Sequence, residues 1–381
     1  MNSSRSSRRR IASHLALLPT GIVSKPIITF CDDEVVDIGQ WEQLDAMEGV
    51  EFYAGILVPA LVNAHCHIEL SYLEGQIEPR GGFAAFAAGV ARTRNLFTAE
   101  QMEEAIRQAD VKMWQEGVGA VGDIANGVSA FSVKANSPIR YRTFAEVFGL
   151  RTASIEALEP MLHYPETSLS PHSTYSLQDE IFKQVCCKGD APLSIHFMES
   201  PGERELYEGH GALSEWYKTQ GWECDFLHYA SPAERVVASV PAERSVMLVH
   251  NCCVTQRDID VIMSHFTAPV YWVVCLGSND YISGLKPDIN LLRRNGLNIC
   301  VGTDSLASNG SLSMLAELKR LNEYPLDEIL TWATANGADA LGYGDSLGRL
   351  EVGKRCGLAV IDALDYDKQT LTDRSTCRRL I

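Results

Sequence analysis

The chain has 381 residues, of which 46% are hydrophobic and 22% are charged, so it can bury a large core. Its net charge of −16 disfavours contact with nucleic-acid backbones and anionic membranes. No stretch approaches the roughly 20 apolar residues that a membrane-spanning helix needs, so neither nucleic acid nor membrane is expected as a partner.

The N-terminal segment begins with the one basic cluster of the chain and then becomes apolar. A secretory signal peptide is disfavoured because Ser13, His14 and Pro19 interrupt the apolar stretch from residue 11 to 23. The pattern instead predicts a frayed tail that leads into a β-strand. Short strands and turns continue to residue 55, with a hairpin tip at Asp32-Asp33. The basic residues are Arg5, Arg8, Arg9 and Arg10.

The eleven cysteines show no regular framework. Four of them form the adjacent pairs Cys186-Cys187 and Cys252-Cys253, others lie inside apolar runs, and no CxxC motif is present. This usage is typical of buried free thiols in a reducing compartment, so a cytoplasmic location is expected. A zinc site made of cysteines alone is disfavoured.

Eight short apolar runs recur along the middle of the chain, separated by longer helical patterns. Buried parallel strands read as largely continuous apolar runs, and strands that alternate with helices predict a parallel sheet with right-handed crossovers. Eight such units predict closure, so the expected fold class is α/β, a (β/α)8 barrel of the TIM type. The runs are Ile56 to Ala64, Val118 to Ile124, Tyr141 to Phe148, Ser168 to His172, Leu193 to Met198, Val246 to His250, Val270 to Leu276 and Leu297 to Thr303.

Helix candidates between these runs carry recognisable start signals. Thr98 and Ser231 are predicted caps, and Pro232 stands at a first helical position, where its missing N–H is tolerated. The candidate helices are Thr98 to Gln115, Ser231 to Val240, Thr255 to His265 and Ser311 to Leu321.

The two ends of the chain do not fit the barrel pattern. Residues 345–381 read as short strands and turns, as residues 8–55 do. We therefore predict a barrel over residues 56–344 and a small β-sandwich domain built from residues 1–55 and 345–381 together.

Histidines stand at or near the ends of several predicted strands, where barrels of this type carry their chemistry. His65 and His67 follow the first run, and two residues apart on a strand their side chains point to the same face. Two imidazoles on one face can bind a cation such as zinc. Taken alone, the pair is weak evidence, because histidines are more often satisfied within the core; its position after a largely apolar, strand-like run favours a ligand pair.

His196 in the fifth run is the natural third ligand, and Asp304 after the eighth run is the natural fourth. Barrel closure would put the eighth strand beside the first, so Asp304 would reach the same ion. In isolation Asp304 reads as a helix cap or turn residue. Beside three suitably placed histidines, a ligand is the favoured interpretation.

Three further residues are candidates for the chemistry. Glu199 follows His196 by three residues and would carry protons between water and a leaving nitrogen, although a solvated glutamate at a helix start is the alternative. His250 ends the sixth run and would orient water or stabilise a tetrahedral centre, with a core histidine as the alternative. His172 ends the fourth run and is predicted to face the substrate.

Together these residues resemble the amidohydrolase superfamily, within the branch of cytosine, guanine and adenosine-type aminohydrolases that includes the chlorohydrolases. The resemblance covers nearly the whole chain, and its specificity lies in the combination of motifs. One departure is Leu276 between Cys275 and Gly277, where the family usually has proline. The motifs are His65-Cys66-His67, Ser170-Pro171-His172-Ser173, Ile195-His196-Phe197-Met198-Glu199, His250-Asn251, Ser278-Asn279 and Gly302-Thr303-Asp304-Ser305.

The resemblance implies one divalent metal ion bound by His65, His67, His196 and Asp304. It also implies that Glu199 is the proton shuttle and that His250 and Asp304 position the attacking oxygen. Branches with two metals use a lysine on the fourth strand, and residues 167–177 contain none. Zinc is the preferred metal and iron the alternative. The substrate-facing residues that the resemblance implies are His172, Glu69, Ser278 and Asn279.

The function implied is hydrolytic deamination of an aminopurine nucleoside-like small molecule, with release of ammonia. The segments around His67 and His196 are similar to those of aminodeoxyfutalosine deaminases, and adenosine derivatives are near alternatives. One rival is a hydrolase of the same fold acting on another C–N or a C–Cl bond. A second rival is a non-catalytic metal-binding protein, which Glu199 and His250 disfavour because binding a metal does not require them. A homodimer is expected only by analogy with other barrels of this type.

Overall fold

Strands and helices alternate along most of the chain in the computed structural model, which describes residues 7–42 and 48–381. Arg5 lies outside the described residues. Within them the strands are β1 (Arg8–Ala12), β2 (Leu15–Leu18), β3 (Gly21–Ser24), β4 (Pro26–Cys31), β5 (Glu34–Gln40), β6 (Val50–Phe52), β7 (Ile56–Val58), β8 (Leu61–Cys66), β9 (Val118–Ala125), β10 (Arg140–Val147), β11 (Thr167–Pro171), β12 (Leu193–Phe197), β13 (Val246–His250), β14 (Val270–Val274), β15 (Asn298–Val301), β16 (Ala359–Ile361) and β17 (Cys377–Arg379).

The helices of the same ranges lie mostly between the barrel strands. Two short 3-10 helices, Ile68–Leu73 and Glu156–His163, add to them. The α-helices are α1 (Gly82–Thr93), α2 (Ala99–Gln115), α3 (Phe131–Asn136), α4 (Asp179–Cys187), α5 (Pro201–Tyr207), α6 (Gly211–Thr219), α7 (Pro232–Ser239), α8 (Gln256–His265), α9 (Leu276–Ile282), α10 (Ile289–Arg294), α11 (Met314–Arg320), α12 (Leu326–Trp332) and α13 (Ala335–Ala340).

Eight parallel strands, β8 to β15, form the barrel. β8 to β11 pair in one sheet and β12 to β15 in a second. Isolated parallel bridges join the two sheets, Ser173 to His196 at one seam and Cys66 to Asp304 at the other. At the second seam the Asp304 amide donates to the His65 carbonyl at 3.0 Å. The predicted (β/α)8 barrel is confirmed, and its closure brings Asp304 beside the first strand.

The first predicted strand is divided between two sheets. Residues 56–58 form β7, which pairs with β2 and β16 outside the barrel, and the barrel strand β8 begins at Leu61. Pro59 lies at the break, where its missing N–H cannot continue a ladder. Because β7 and the start of β8 are both buried and largely apolar, the sequence predicts a single strand from Ile56 to Ala64.

Side chains from alternate positions of the barrel strands fill the interior. Val62, Ala120, Phe144 and Val249 belong to one buried cluster there. The end of β15 lies unusually close to β8, because a Cβ on Gly302 would lie 2.9 Å from the His65 Cβ and carbonyl oxygen. Glycine at this position therefore permits the approach that the seam requires.

Both termini contribute to a small β-sandwich, as predicted. One sheet has the strand order β5-β4-β1-β6 and the other β17-β16-β7-β2-β3. Ile11, Phe30, Leu57 and Val360, drawn from both sheets, share one buried cluster between them. The predicted hairpin tip is present, with Asp32 in the left-handed region at φ 56° between β4 and β5. The exact domain limits at residues 55 and 344 stay a prediction.

The predicted helices are present with small shifts at their ends. Thr98 caps α2 in a capping box with Gln101, and Ser231 caps α7. The predicted helix at Ser311 begins only at Met314, because the Ser311 hydroxyl accepts a bond from the Ser313 amide in a local turn. Helix α1 was not predicted. Over the residues described, no helix has the length and apolar character needed to cross a membrane.

Candidate active site

The predicted site residues converge at the carboxyl ends of the barrel strands. His65 lies on β8, and His67 directly follows that strand. His196 lies on β12, His250 is the last residue of β13, and Asp304 follows β15. Separate strands thus bring together side chains that lie up to about 240 positions apart in the chain, as the barrel architecture requires.

Three imidazoles and one carboxylate form a tight buried cluster. Nitrogen atoms of His65, His67 and His196 lie within 4.8 Å of one another. The Nε2 atoms of His67 and His196 are 3.3 Å apart. The Asp304 Oδ1 lies 3.4 Å from Nε2 of His67 and 3.8 Å from Nε2 of His65. The structure therefore brings together all four predicted metal ligands.

The cluster fits a divalent metal ion. Both ring nitrogens of His65 are buried and have no hydrogen-bond partner among the described residues, an arrangement that is costly unless a ligand binds there. Burial and the neighbouring histidines lower the pKa of His65 well below its usual value, so the ring is neutral and keeps a lone pair. Neutral imidazoles with a carboxylate are the donors that zinc and similar cations prefer.

Asp304 is held in place by two serine hydroxyls. Ser278 and Ser308 donate to its Oδ2 at 2.5 and 2.8 Å. Burial acts to raise the pKa of this carboxyl, but His67 and His250 together with the Ser278 hydrogen bond lower it, so Asp304 is ionised. Its backbone is in the left-handed region at φ 58°, a costly conformation that persists only where the surrounding structure enforces it.

Glu199 lies in the turn after β12, beside the cluster but outside it. Burial raises the pKa of its carboxyl to about 7, partly opposed by His196. Its Oε1 lies 3.9 Å from the Nε2 of His250. A carboxyl with this pKa can both accept and donate a proton near neutral pH, which is the requirement for general acid–base catalysis.

His250 is fixed in a defined orientation by Asn279. Its Nδ1 lies 2.8 Å from the Asn279 Oδ1, so Nδ1 carries the proton and Nε2 offers a lone pair on the side of Glu199. Burial lowers the pKa of the ring, which keeps it neutral. The backbone of His250 also has a positive φ, 81°.

The four residues predicted to face the substrate lie in different places. His172 lines the cavity, and its Nδ1 has no hydrogen-bond partner among the described residues. Glu69 accepts from the Asn126 amide at 2.9 Å, while Ser278 and Asn279 bond to Asp304 and His250. These three have polar partners within the protein, and their part in substrate binding stays a prediction.

A cavity of about 310 Å³ opens above the cluster. Its outer wall comes from helix α1, whose Phe83, Phe86 and Val90 line the space. Three polar residues of the cavity wall were not predicted from the sequence. Glu146 near the end of β10 was detectable, since it is the lone acidic residue in a buried run; Asn126 and Arg94 gave no signal of their own. The residues missed are Arg94, Asn126 and Glu146.

Comparison with known proteins agrees with this geometry. The chain is 28% identical to an adenosine deaminase of Helicobacter pylori over 86% of this chain and 85% of that protein. It is 26% identical to an aminodeoxyfutalosine deaminase of Nitratiruptor sp., over 81% and 79%. The crystal structure of Helicobacter pylori aminofutalosine deaminase in complex with methylthio-coformycin superposes with a TM-score of 0.79, 26% identity, and coverage of 95% and 94%.

The resemblance found in the sequence is confirmed at the family level. The sequence profile of the amidohydrolase family matches residues 56–377, which includes the whole barrel and all the site residues described above. The chain therefore belongs to the amidohydrolase family of hydrolytic enzymes.

Proposed function

We propose that the protein is a metal-dependent aminohydrolase that removes the amino group of an aminopurine nucleoside or a close derivative and releases ammonia. One observation carries the proposal. Glu199 lies beside a buried site for a cation but is not one of the cation's ligands, and both line a cavity large enough for a small molecule. The deaminase names of the relatives support the choice of reaction.

The metal would be held by His65, His67, His196 and Asp304, with zinc preferred over iron for three imidazoles and one carboxylate. When bound, it would supply a Lewis acid that makes water nucleophilic at neutral pH. The remaining steps fall to side chains of the protein.

Glu199 moves the protons of the reaction. Its carboxylate takes a proton from the attacking water and delivers it to the ring nitrogen next to the amino-bearing carbon, while the oxygen bonds to that carbon. The second proton of the same oxygen then passes through Glu199 to the amino group. The C–N bond breaks, the ring becomes an oxo-purine, and ammonia leaves.

His250 and Asp304 position the attacking oxygen. The Nε2 lone pair of His250 accepts one hydrogen of the water, because Asn279 fixes the proton on Nδ1. The ionised Asp304 is fixed by two serine hydroxyls on its Oδ2 and, as a ligand of the metal, would orient the oxygen without accepting a hydrogen, which leaves the second hydrogen of the water for Glu199. A water held by two acceptors keeps a lone pair aimed at the substrate.

The test is ammonia release from a panel of adenine nucleosides and free bases, using zinc-loaded protein. We expect a ribosylated adenine to react and Glu199→Gln to lower kcat about 100- to 10,000-fold with the bound metal retained. Glu208→Gln changes an exposed carboxyl just beyond α5, the helix that follows Glu199; it is the matched control and should keep full activity.

Two outcomes would contradict the proposal. Turnover retained in Glu199→Gln would remove this residue from the mechanism. If no member of the panel released ammonia, but chlorotriazines released chloride or hydantoins were ring-opened, the site would be assigned to hydrolysis of a different bond.

A further inference from the structure

The cavity contains a second carboxyl that the proposed reaction does not use. Glu146 lies near the end of β10 with 5% of its surface exposed, and it lines the same space as Glu199. The rings of His172, His196 and His250 lie in a row, with centroid separations of 4.6 and 5.4 Å. Glu199 approaches His250, whereas Glu146 lies beside His196 and His172. The cavity therefore has two polar regions.

Holding His196 does not account for Glu146. The carboxyl oxygen Oε1 lies 3.5 Å from the His196 Nδ1, but that nitrogen already has an acceptor, the His172 carbonyl oxygen, at 2.8 Å. A neutral imidazole has one N–H, so the closer carbonyl oxygen takes it. The other oxygen, Oε2, accepts from the Asn126 Nδ2 at 2.8 Å. Among the residues that the structure describes, one oxygen of this buried carboxyl thus has no strong donor.

The neighbours of Glu146 point to a ligand with hydroxyl groups. No lysine or arginine forms an ion pair with this carboxyl among the residues the structure describes, so its acceptor capacity remains available. The nearby His172 Nδ1 is buried and has no hydrogen-bond partner among those described residues. A hydroxyl group satisfies both, since it donates to a carboxylate and exchanges a second hydrogen bond with an imidazole. Buried polar groups of this kind are expected to be paired when the cavity is filled.

We propose that Glu146, with His172, forms a subsite that binds the vicinal hydroxyls of a ribose and selects nucleosides over free bases. The inference rests on the proposed function, because it takes the base to lie at Glu199 and the sugar to lie toward Glu146. Asn126 has a positioning role: its amide is fixed by Glu69, and its side chain holds the Glu146 Oε2. Glu146 would then contribute to affinity rather than to proton transfer.

The experiment measures binding without turnover. Calorimetric affinities of inosine, 2′,3′-dideoxyinosine and hypoxanthine are compared in zinc-loaded wild-type protein and in Glu146→Gln. In the variant the amide oxygen is expected to face the Asn126 donor, which leaves an NH₂ group where the ribose needs an acceptor. Glu166→Gln is the matched control. Glu166 is the residue just before β11, at the end of the strand far from the cavity, and its half-buried carboxyl accepts a hydrogen bond from Arg140.

We expect Glu146→Gln to weaken inosine binding about 10- to 100-fold, the loss typical of one hydrogen bond to a charged group. Binding of dideoxyinosine and hypoxanthine should change less than about threefold, and the metal content should stay the same. Equal losses for all three ligands, or a loss of metal, would overturn the subsite and assign Glu146 to support of the site as a whole.

Failure of the subsite and failure of the proposed function can be told apart. Wild-type protein that releases ammonia from adenosine but binds inosine and dideoxyinosine equally well overturns the subsite alone. Protein that prefers inosine through Glu146 but releases no ammonia overturns the deaminase proposal alone. Protein that neither binds inosine nor releases ammonia from adenosine overturns both.

Discussion

The site end of the barrel and the β-sandwich differ in where their strained and polar residues lie. Both regions contain residues with positive φ. In the sandwich domain these are Lys25, Asp32, Ala363 and Gln369, which are exposed in turns and bends where strain costs little. At the site they are Met198, His250, Asn251 and Asp304, all buried.

Buried strain of this kind costs about 1–3 kcal/mol per residue and persists only where the surroundings enforce it. The same end of the barrel holds buried polar atoms that have no hydrogen-bond partner within residues 7–42 and 48–381, including both nitrogens of His65 and the Nδ1 of His172. The sandwich, by contrast, has an apolar cluster between its sheets, and its buried Ser13 hydroxyl has a partner, the Gly55 carbonyl oxygen. We infer that the strained and unpaired groups of the site lower the free energy of unfolding in exchange for a fixed arrangement of reactive side chains. Apolar packing in the sandwich raises the free energy of unfolding and has no part in the reaction.

The largest effect should come from removing a charge at the site. Asp304→Asn keeps a residue that tolerates the left-handed backbone, so the fold should remain intact. The loss of an ionised ligand should lower kcat/KM by about three orders of magnitude or more, the effect of several kcal/mol of lost charge stabilisation. Ammonia release and metal analysis measure this, with urea unfolding of the metal-free protein as the control. A metal-free variant much less stable than wild type would break the comparison.

The opposite result is expected in the sandwich. Phe30→Ala empties a fully buried position on β4 and should lower the free energy of unfolding by about 3–5 kcal/mol. The activity per folded molecule should stay close to wild type, because Phe30 lies in a cluster separate from the barrel interior. Urea unfolding and active-site titration with metal would measure the two quantities. A large drop in kcat of the folded fraction would show that the sandwich shapes the site.

The sequence predicted the architecture well because strand periodicity and ligand spacing are local signals. His65, His67, His196 and Asp304 could be grouped once eight strands implied a closed barrel. Other features depend on contacts that no local pattern records. Helix α1 is almost uniformly apolar, so it lacks the polar face that marks an amphipathic helix.

Residues with two plausible partners were the hardest to interpret. Ser278 and Asn279 were assigned to the substrate by resemblance, and the structure gives them Asp304 and His250 as hydrogen-bond partners. Whether such a side chain faces the substrate or a neighbouring residue depends on contacts made in the folded protein, which spacing along the chain does not encode. Glu146 was overlooked because one acid in an apolar run is weak evidence without the fold.

The pH dependence of the unfolding free energy tests the barrel half of this comparison. Glu317 on α11 is buried and accepts from the Gly277 amide and the Asn309 side chain, and burial raises its pKa to about 7. The folded protein therefore binds more protons than the unfolded chain between an unfolded pKa of about 4.3 and the folded value. This contribution to stability is complete at low pH and is lost as the pH rises through about 7.

Glu317→Gln should remove that dependence. The difference in unfolding free energy between pH 5 and pH 8 should shrink by about 1–3 kcal/mol relative to wild type. Urea unfolding of zinc-loaded protein at both pH values measures it. Glu328→Gln, which removes a partly exposed bridge to Arg293, is the control and should leave the difference unchanged. An unchanged difference in Glu317→Gln would mean that this carboxyl is ionised in the folded protein.

The smallest effect should come from the ion pair on the sandwich surface. Arg9 on β1 donates to both carboxylate oxygens of Glu51 on β6 at 2.8 Å and to the Leu380 carbonyl at 2.7 Å. The hydrogen bond from Arg9 lowers the pKa of Glu51 to about 2, so its stabilisation is present above about 4.5 and is lost as the pH falls toward 2. Because the side chains are 31% and 40% exposed, solvent screens most of this gain.

Arg9→Met should therefore lower the unfolding free energy by only about 0.2–1 kcal/mol at pH 7, with less effect in 1 M salt. A double-mutant cycle with Glu51→Gln separates the ion pair from the bond to Leu380, which Arg9→Met also removes. A coupling energy above about 2 kcal/mol would place part of the stability of the sandwich in its surface charges. The contrast between an apolar, stabilising sandwich and a polar, strained site would then have to be redrawn, because buried apolar packing would no longer be what distinguishes the sandwich.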